Sequence, residues 1–183
     1  MAKKSGRKER REARLREITQ DSTGKMVYTG ELWRIADSDG PGSALRQRML
    51  LIAGLAALAL IVLGSGCIDA KNAMGAFYVV LPFIGEVSAL FGLAWNAVKI
   101  IYTGEGVRTY VLERSRPRVP GACRILSVFA AAGFALSAVY MIRNGAGGST
   151  ADGIAYLLLK AATAALAEWY RRCFVSVNWE TIK

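Results

Sequence analysis

The sequence predicts an all-α membrane protein, with four transmembrane helices arranged as two tandem parallel hairpin repeats behind a basic N-terminal cytoplasmic tail. Three observations lead there. Apolar residues make up 53% of the 183 and gather into four long runs, which is a membrane composition rather than that of a soluble domain. A short pattern occurs twice: Tyr28, Thr29, Gly30, Glu31 and Arg34 return as Tyr102, Thr103, Gly104, Glu105 and Arg108, 74 residues further on, each time ahead of a pair of apolar runs. A second match joins Ala73, Gly75, Tyr78 and Leu81 to Ala151, Gly153, Tyr156 and Leu159 at an offset of 78, so the copies keep their order while the spacing drifts.

Residues 1–26 form the tail. Positions 3–18 are dense in both charge signs and poor in apolar groups, as in an exposed salt-bridged helix or a partly ordered arm. Its lysines and arginines suit anionic lipid head groups at the cytoplasmic face, at ~1 kcal/mol per basic residue near the surface.

The first unit spans 27–98. In MVYTGELWRIAD the spacing of Tyr28, Leu32 and Ile35 predicts a short helix lying on the membrane surface and interrupted by Gly30. Glu31 and Arg34, like Glu105 and Arg108, are three apart, so one helical turn would pair them for a few tenths of a kcal/mol. SDGPGS at 38–43 breaks the chain before the first crossing, 49–68, which carries no charge. The second crossing, 73–98, carries Glu86 alone.

The second unit, 101–177, repeats the plan. RPRVPG at 116–121 is its break; the crossing 125–142 is free of charge, and 153–170 carries Lys160 and Glu168. Ser149, Thr150 or Asp152 is placed to cap the fourth helix. Residues 178–183 are left as a cytoplasmic C-terminus. Each crossing supplies close to the roughly 20 residues that span ~30 Å of hydrocarbon. Some 48 hydrophilic residues precede the first run, far more than a signal-peptide n-region, so that run is expected to be retained.

Charge sets the expected orientation. Twelve of the 24 lysines and arginines lie in residues 1–48, six between Lys99 and Arg124, and three after the fourth run, whereas Lys71 and Arg143 alone flank the other side. By the positive-inside rule both termini and the central loop are cytoplasmic, in a bacterial inner (plasma) membrane. The net charge of +10 then follows from topology and lipid attraction, and specific nucleic-acid binding is not implied.

Chemistry is sparse. There is no histidine, and Cys67, Cys123 and Cys173 are scattered, so no cofactor, metal site or disulfide framework is expected. No catalytic pattern appears, and an enzyme is not expected. Tyr78 to Trp95 covers 17 residues and Tyr156 to Trp169 covers 13; that one-turn mismatch, with Pro82, predicts a tilted or kinked second helix. Gly85 with Ala89, Ser88 with Gly92, Gly133 with Ser137, and Ala161 with Ala165 mark ordinary packing faces.

The intramembrane charges are the exception. Glu86 is bracketed close to mid-membrane, where an unpaired carboxylate costs several kcal/mol. Lys160, about 6 Å below Tyr156, either snorkels outward or reaches Glu86 and ties the two units together. Glu86 is expected to face the bundle interior and to meet Lys160 or the small-residue face of Thr163, Ala164 and Ala167. Function is read as a non-catalytic accessory or assembly subunit of a larger membrane complex, partnered by another membrane protein or by itself. The alternative is a proton- or cation-coupled small-solute transporter using Glu86.

Overall fold

The computed structural model describes residues 18–20, 26–37, 40–68, 77–102, 106–144 and 150–182. In order these form β1 (Ile18–Gln20), β2 (Met26–Tyr28), β3 (Leu32–Ile35), α1 (Ser43–Cys67), α2 (Phe77–Ile101), β4 (Val107–Arg108), α3 (Thr109–Ser115), α4 (Arg118–Asn144), α5 (Thr150–Val175) and β5 (Trp179–Ile182). The four long helices are long and apolar enough to cross a membrane, as expected of a polytopic membrane protein. Most of the tail, Lys71, Thr103, Gly104, Glu105, Ser149 and Lys183 lie outside the described residues.

Why these segments are helical follows from composition and from how they start. In α1 the Asp37 carboxylate accepts the Ala44 N–H at 2.9 Å and Gly42 precedes the helix at φ 86°, so one orphan donor of the first turn is satisfied from a distance. The chain break expected over 116–121 is shorter: residues 116–117 turn and α4 begins at Arg118. Pro120 therefore sits in the first turn, where a missing N–H costs no helical hydrogen bond. Helix α2 runs unbroken through Pro82, and at 25 residues it matches the 26 of α5. The one-turn difference inferred from the aromatics is not a difference in helix length.

The helices pack in the ring order α1, α2, α4, α5, leaving α2 opposite α5 and α1 opposite α4. Leu58, Val62, Leu93, Ala97, Leu126, Ala167, Tyr170 and Phe174 fill the middle. Leu60, Phe77, Phe91, Val128, Ile142 and Leu158 point outward and stay exposed, the surface that lipid covers. Small residues set close approaches: a Cβ on Gly85 would meet the Phe129 ring at 2.5 Å, and one on Gly66 would meet Phe83 Cζ at 2.6 Å.

All three long connections to the bundle meet at one end. Strand β3 lies between β4 and β5, antiparallel to both, and Ala36 N–H extends the pairing to the Asn178 carbonyl at 2.9 Å. The segment 28–35 is thus extended rather than a surface helix. Gly30 interrupts it, and two flanking strands satisfy its backbone as no isolated helical turn would. Extended geometry also changes the partner of Arg34, which reaches Glu180 on β5 at 2.5 Å instead of Glu31. Residues 178–182, expected as a plain terminus, close this sheet. Gly106 enters β4 at φ 118°, with Leu32 Cβ and Ile182 Cδ1 both 3.1 Å from where its own Cβ would stand; a side chain is excluded there by conformation and by space. Trp33 Nε1 donates to Thr109 Oγ1 at 3.1 Å, and that hydroxyl donates to the Glu31 carbonyl at 3.0 Å.

The register of β3 with β4 sets Trp33 opposite Val107 and Leu32 opposite Arg108. Trp33 and Val107 are 74 residues apart, the spacing of the two YTGE copies. An antiparallel pair centred on equivalent residues has the geometry of a local two-fold axis through that pair. The two halves also differ: among the described residues no helix like α3 precedes α1, and α4 packs more extensively on its neighbours than α1 does.

Candidate functional site: a buried charge pair at the centre of the bundle

Glu86 on α2 and Lys160 on α5 meet across the diagonal of the ring. Lys160 Nζ donates to Glu86 Oε2 at 2.7 Å, and both side chains are wholly buried. The face that turns Glu86 inward also carries Val79, Pro82, Leu90 and Leu93, all buried; the matching face of α5 carries Tyr156, Thr163, Ala167 and Tyr170. Apolar periodicity near 3.6 thus aims each charge at the axis. Lys160 does not snorkel outward: with its ammonium satisfied inside, the long stem has no reason to seek the interface.

The other two helices complete the site. From α1, Ser65 Oγ accepts from Lys160 Nζ at 3.2 Å while donating to the Val62 carbonyl at 2.7 Å. From α4, Gly133 lets the carboxylate in: a Cβ there would lie 3.2 Å from Glu86 Oε1 and 3.6 Å from Lys160 Cδ. The ammonium also faces the Phe83 and Tyr156 rings, 4.9 and 4.8 Å from their centroids, an arrangement that stabilises a desolvated cation. Glu86 Oε1, also buried, accepts no hydrogen bond from a described side chain or backbone group.

The pair is thus a neutral unit in the apolar core with one carboxylate oxygen still able to accept. Chemically, a carboxylate so placed can take up a proton. Among the described residues no three metal-ligating side chains converge.

Sequence reasoning names Glu86 and Lys160 and offers their pairing in the bundle interior as one of two alternatives, but does not identify the residues that surround the pair. Gly133 with Ser137 reads as a packing face and Tyr156 as one end of an aromatic bracket, while Ser65 stands unmarked in an apolar run. One signal was available: Glu86 and Lys160 are themselves 74 residues apart. The same spacing joins Pro82 with Tyr156, Leu93 with Ala167 and Ile100 with Phe174, every one buried. The AxGxxYxxL match at 78 concealed this register.

The other predicted positions lie elsewhere. Tyr102 is exposed at the end of α2, Glu31 and Arg34 flank or join the sheet, and Arg108 ends β4. Glu168 is held by Arg171 at 2.6 Å and Arg172 at 3.1 Å. None of these touches the charge pair. Comparison of the chain with protein-family models, with curated proteins and with solved structures finds no match.

Proposed function

We propose that this protein is a proton-coupled carrier of a small solute, with Glu86 as the proton-binding group and the Glu86–Lys160 pair as the centre of its site, and that it is not an enzyme. One observation carries the reading: a lone carboxylate and a lone ammonium, both 0% exposed, are set together by diagonal helices, with a carboxylate oxygen left unbonded. Stability alone is a weak reason for such a pair, because well-packed apolar residues of similar volume usually hold a core as well or better. Ionisable groups inside a membrane generally mark ion or substrate paths. The apolar surroundings and complete burial favour a carrier that exposes its site in turn, rather than an open pore.

The finer architecture fits that reading. We take 27–98 and 101–177 as two parallel hairpin units about an axis along the membrane normal; the β3–β4 register and the shared spacing of buried positions support it. In transporters built from such repeats, coupling sites lie at the repeat interface near the midplane. The sheet end is taken as cytoplasmic because Lys and Arg concentrate there, with the basic tail on anionic lipid and the whole in a bacterial inner membrane.

The test is reconstitution of the full chain in liposomes with a trapped pH dye, against gradients of anionic, cationic and neutral small solutes. The expected result is solute-driven proton movement in the wild type that Glu86→Gln abolishes. Silence towards every solute, with a membrane protein co-purifying in fixed ratio, would return the chain to the accessory-subunit reading.

A further inference from the structure

We infer that the solute is a small monovalent anion, which enters with a proton and replaces the Glu86 carboxylate as the counter-ion of Lys160. This rests on the carrier reading above and adds the sign and size of the substrate.

The ammonium has one full negative partner, Glu86 Oε2 at 2.7 Å. Ser65 Oγ and the Phe83 and Tyr156 rings give it only partial charges. On α5 the nearest other acids are Asp152 and Glu168, each eight residues away, about 12 Å along the axis, and Glu168 is held by two arginines. Helices α1 and α4 carry no acid, and Glu86 is the one acid on α2.

Protonation at Glu86 Oε1 breaks no hydrogen bond, since that oxygen makes none. It does change the net charge of a buried, neutral site to +1, which an apolar interior opposes. An anion arriving with the proton restores neutrality: the carboxylic acid is neutral, and the ammonium keeps a negative partner. A cationic substrate would require Lys160 to surrender its proton while still tethered beside the carboxylate. Two ring faces and a serine oxygen that hold the ammonium oppose that exchange.

Size follows from packing. Gly133 and Pro82 adjoin the charges, with a Gly133 Cβ position only 3.6 Å from each of Lys160 Cδ and Pro82 Cβ, so the site suits an ion of a few atoms, such as chloride, nitrate or formate. Helix α1 ends at Cys67, two residues past Ser65, whereas α2 begins nine residues before Glu86 and α5 ten before Lys160. Next to Ser65, a Cβ on Gly66 would stand 2.6 Å from Phe83 Cζ, so the ring that faces the ammonium also packs closely on α1.

The experiment uses the full chain in liposomes with a trapped pH dye and the membrane potential clamped. Inward gradients of N-methylglucamine chloride or nitrate should acidify the lumen at least tenfold faster than in empty liposomes, and gluconate should not. Lys160→Met should lose this flux. Glu86→Gln should lose the acidification while retaining exchange of labelled chloride. In detergent, sodium formate should raise the melting temperature of Glu86→Ala by about 5 °C at saturating concentration, with gluconate at equal ionic strength inert. Proton movement driven by sodium or tetramethylammonium gluconate instead would overturn the anion assignment and leave the carrier reading standing. Absence of proton movement with either sign of ion would overturn both, and equal melting responses to formate and gluconate would overturn the exchange of counter-ions.

Discussion

The ion pairs Glu86–Lys160 and Arg34–Glu180 each join the first half of this chain to the second, and they differ in almost everything but chemistry. Glu86–Lys160 closes at 2.7 Å with both side chains fully buried; Arg34–Glu180 closes at 2.5 Å with side-chain exposures of 58% and 40%. Water screens the second pair and will solvate either member if the other is lost, so its contribution is ~1 kcal/mol or less. Neither member of the first has that recourse. The shorter contact is the weaker claim to importance, and surroundings rather than distance decide which pair the protein depends on.

The largest effect is expected on removing one buried charge. Lys160→Met leaves Glu86 without a counter-ion in the core and should cost about 3–5 kcal/mol, read as a large fall in melting temperature in detergent. Combining it with Glu86→Met should recover most of that loss, a coupling that a double-mutant cycle measures directly. A single variant as stable as the wild type would mean that water reaches the pair.

Overpacking the same place comes next. Gly133→Val would push side-chain atoms into Glu86 Oε1, and Gly85→Val would drive a Cβ into the Phe129 ring; each should cost ~1–3 kcal/mol. Gly92→Ala, with nothing within 4 Å of its Cβ position, is the control and should be neutral in the same melting assay.

A smaller effect is expected from exchanging the charges. If 86 and 160 are equivalent positions of two copies, Glu86→Lys with Lys160→Glu rebuilds the pair, and the double variant should melt much closer to the wild type than either single one. Failure of the exchange to rescue the singles would place the two positions in unlike surroundings. Smallest of all, Arg34→Ala and Glu180→Ala should each shift stability by under ~1 kcal/mol, and the shift should fade as salt rises. A loss above about 2 kcal/mol from either would show that the sheet end is tied far more tightly than exposed ion pairs allow.

The same contrast separates what was legible in the sequence from what was not. Long uncharged runs state their own burial, because hydrocarbon admits few alternatives to a helix, and so the four helices were readable. Glu86 was conspicuous for the same reason. The sheet was hidden: Leu32–Ile35, Val107–Arg108 and Trp179–Ile182 are two to four residues long, and their pairing depends on partners about 75 and 150 positions apart. Tyr28, Leu32 and Ile35 share a helical spacing by coincidence, and tertiary pairing outweighs so short a signal. Ser65 was invisible because a serine in an apolar run states nothing about the helix it will face. Lys160 could be connected to Glu86 only as one of two possibilities, since the choice depends on which helices sit on the diagonal.

The most direct test of the claim that this charge pair serves function rather than architecture is to measure both properties on one sample of the Glu86→Met, Lys160→Met double variant. The expected result is a melting temperature close to that of the wild type and well above that of Lys160→Met alone, together with complete loss of solute-driven proton movement in liposomes. A double variant that still carries out that movement, or one that fails to fold while each single variant folds, would contradict it.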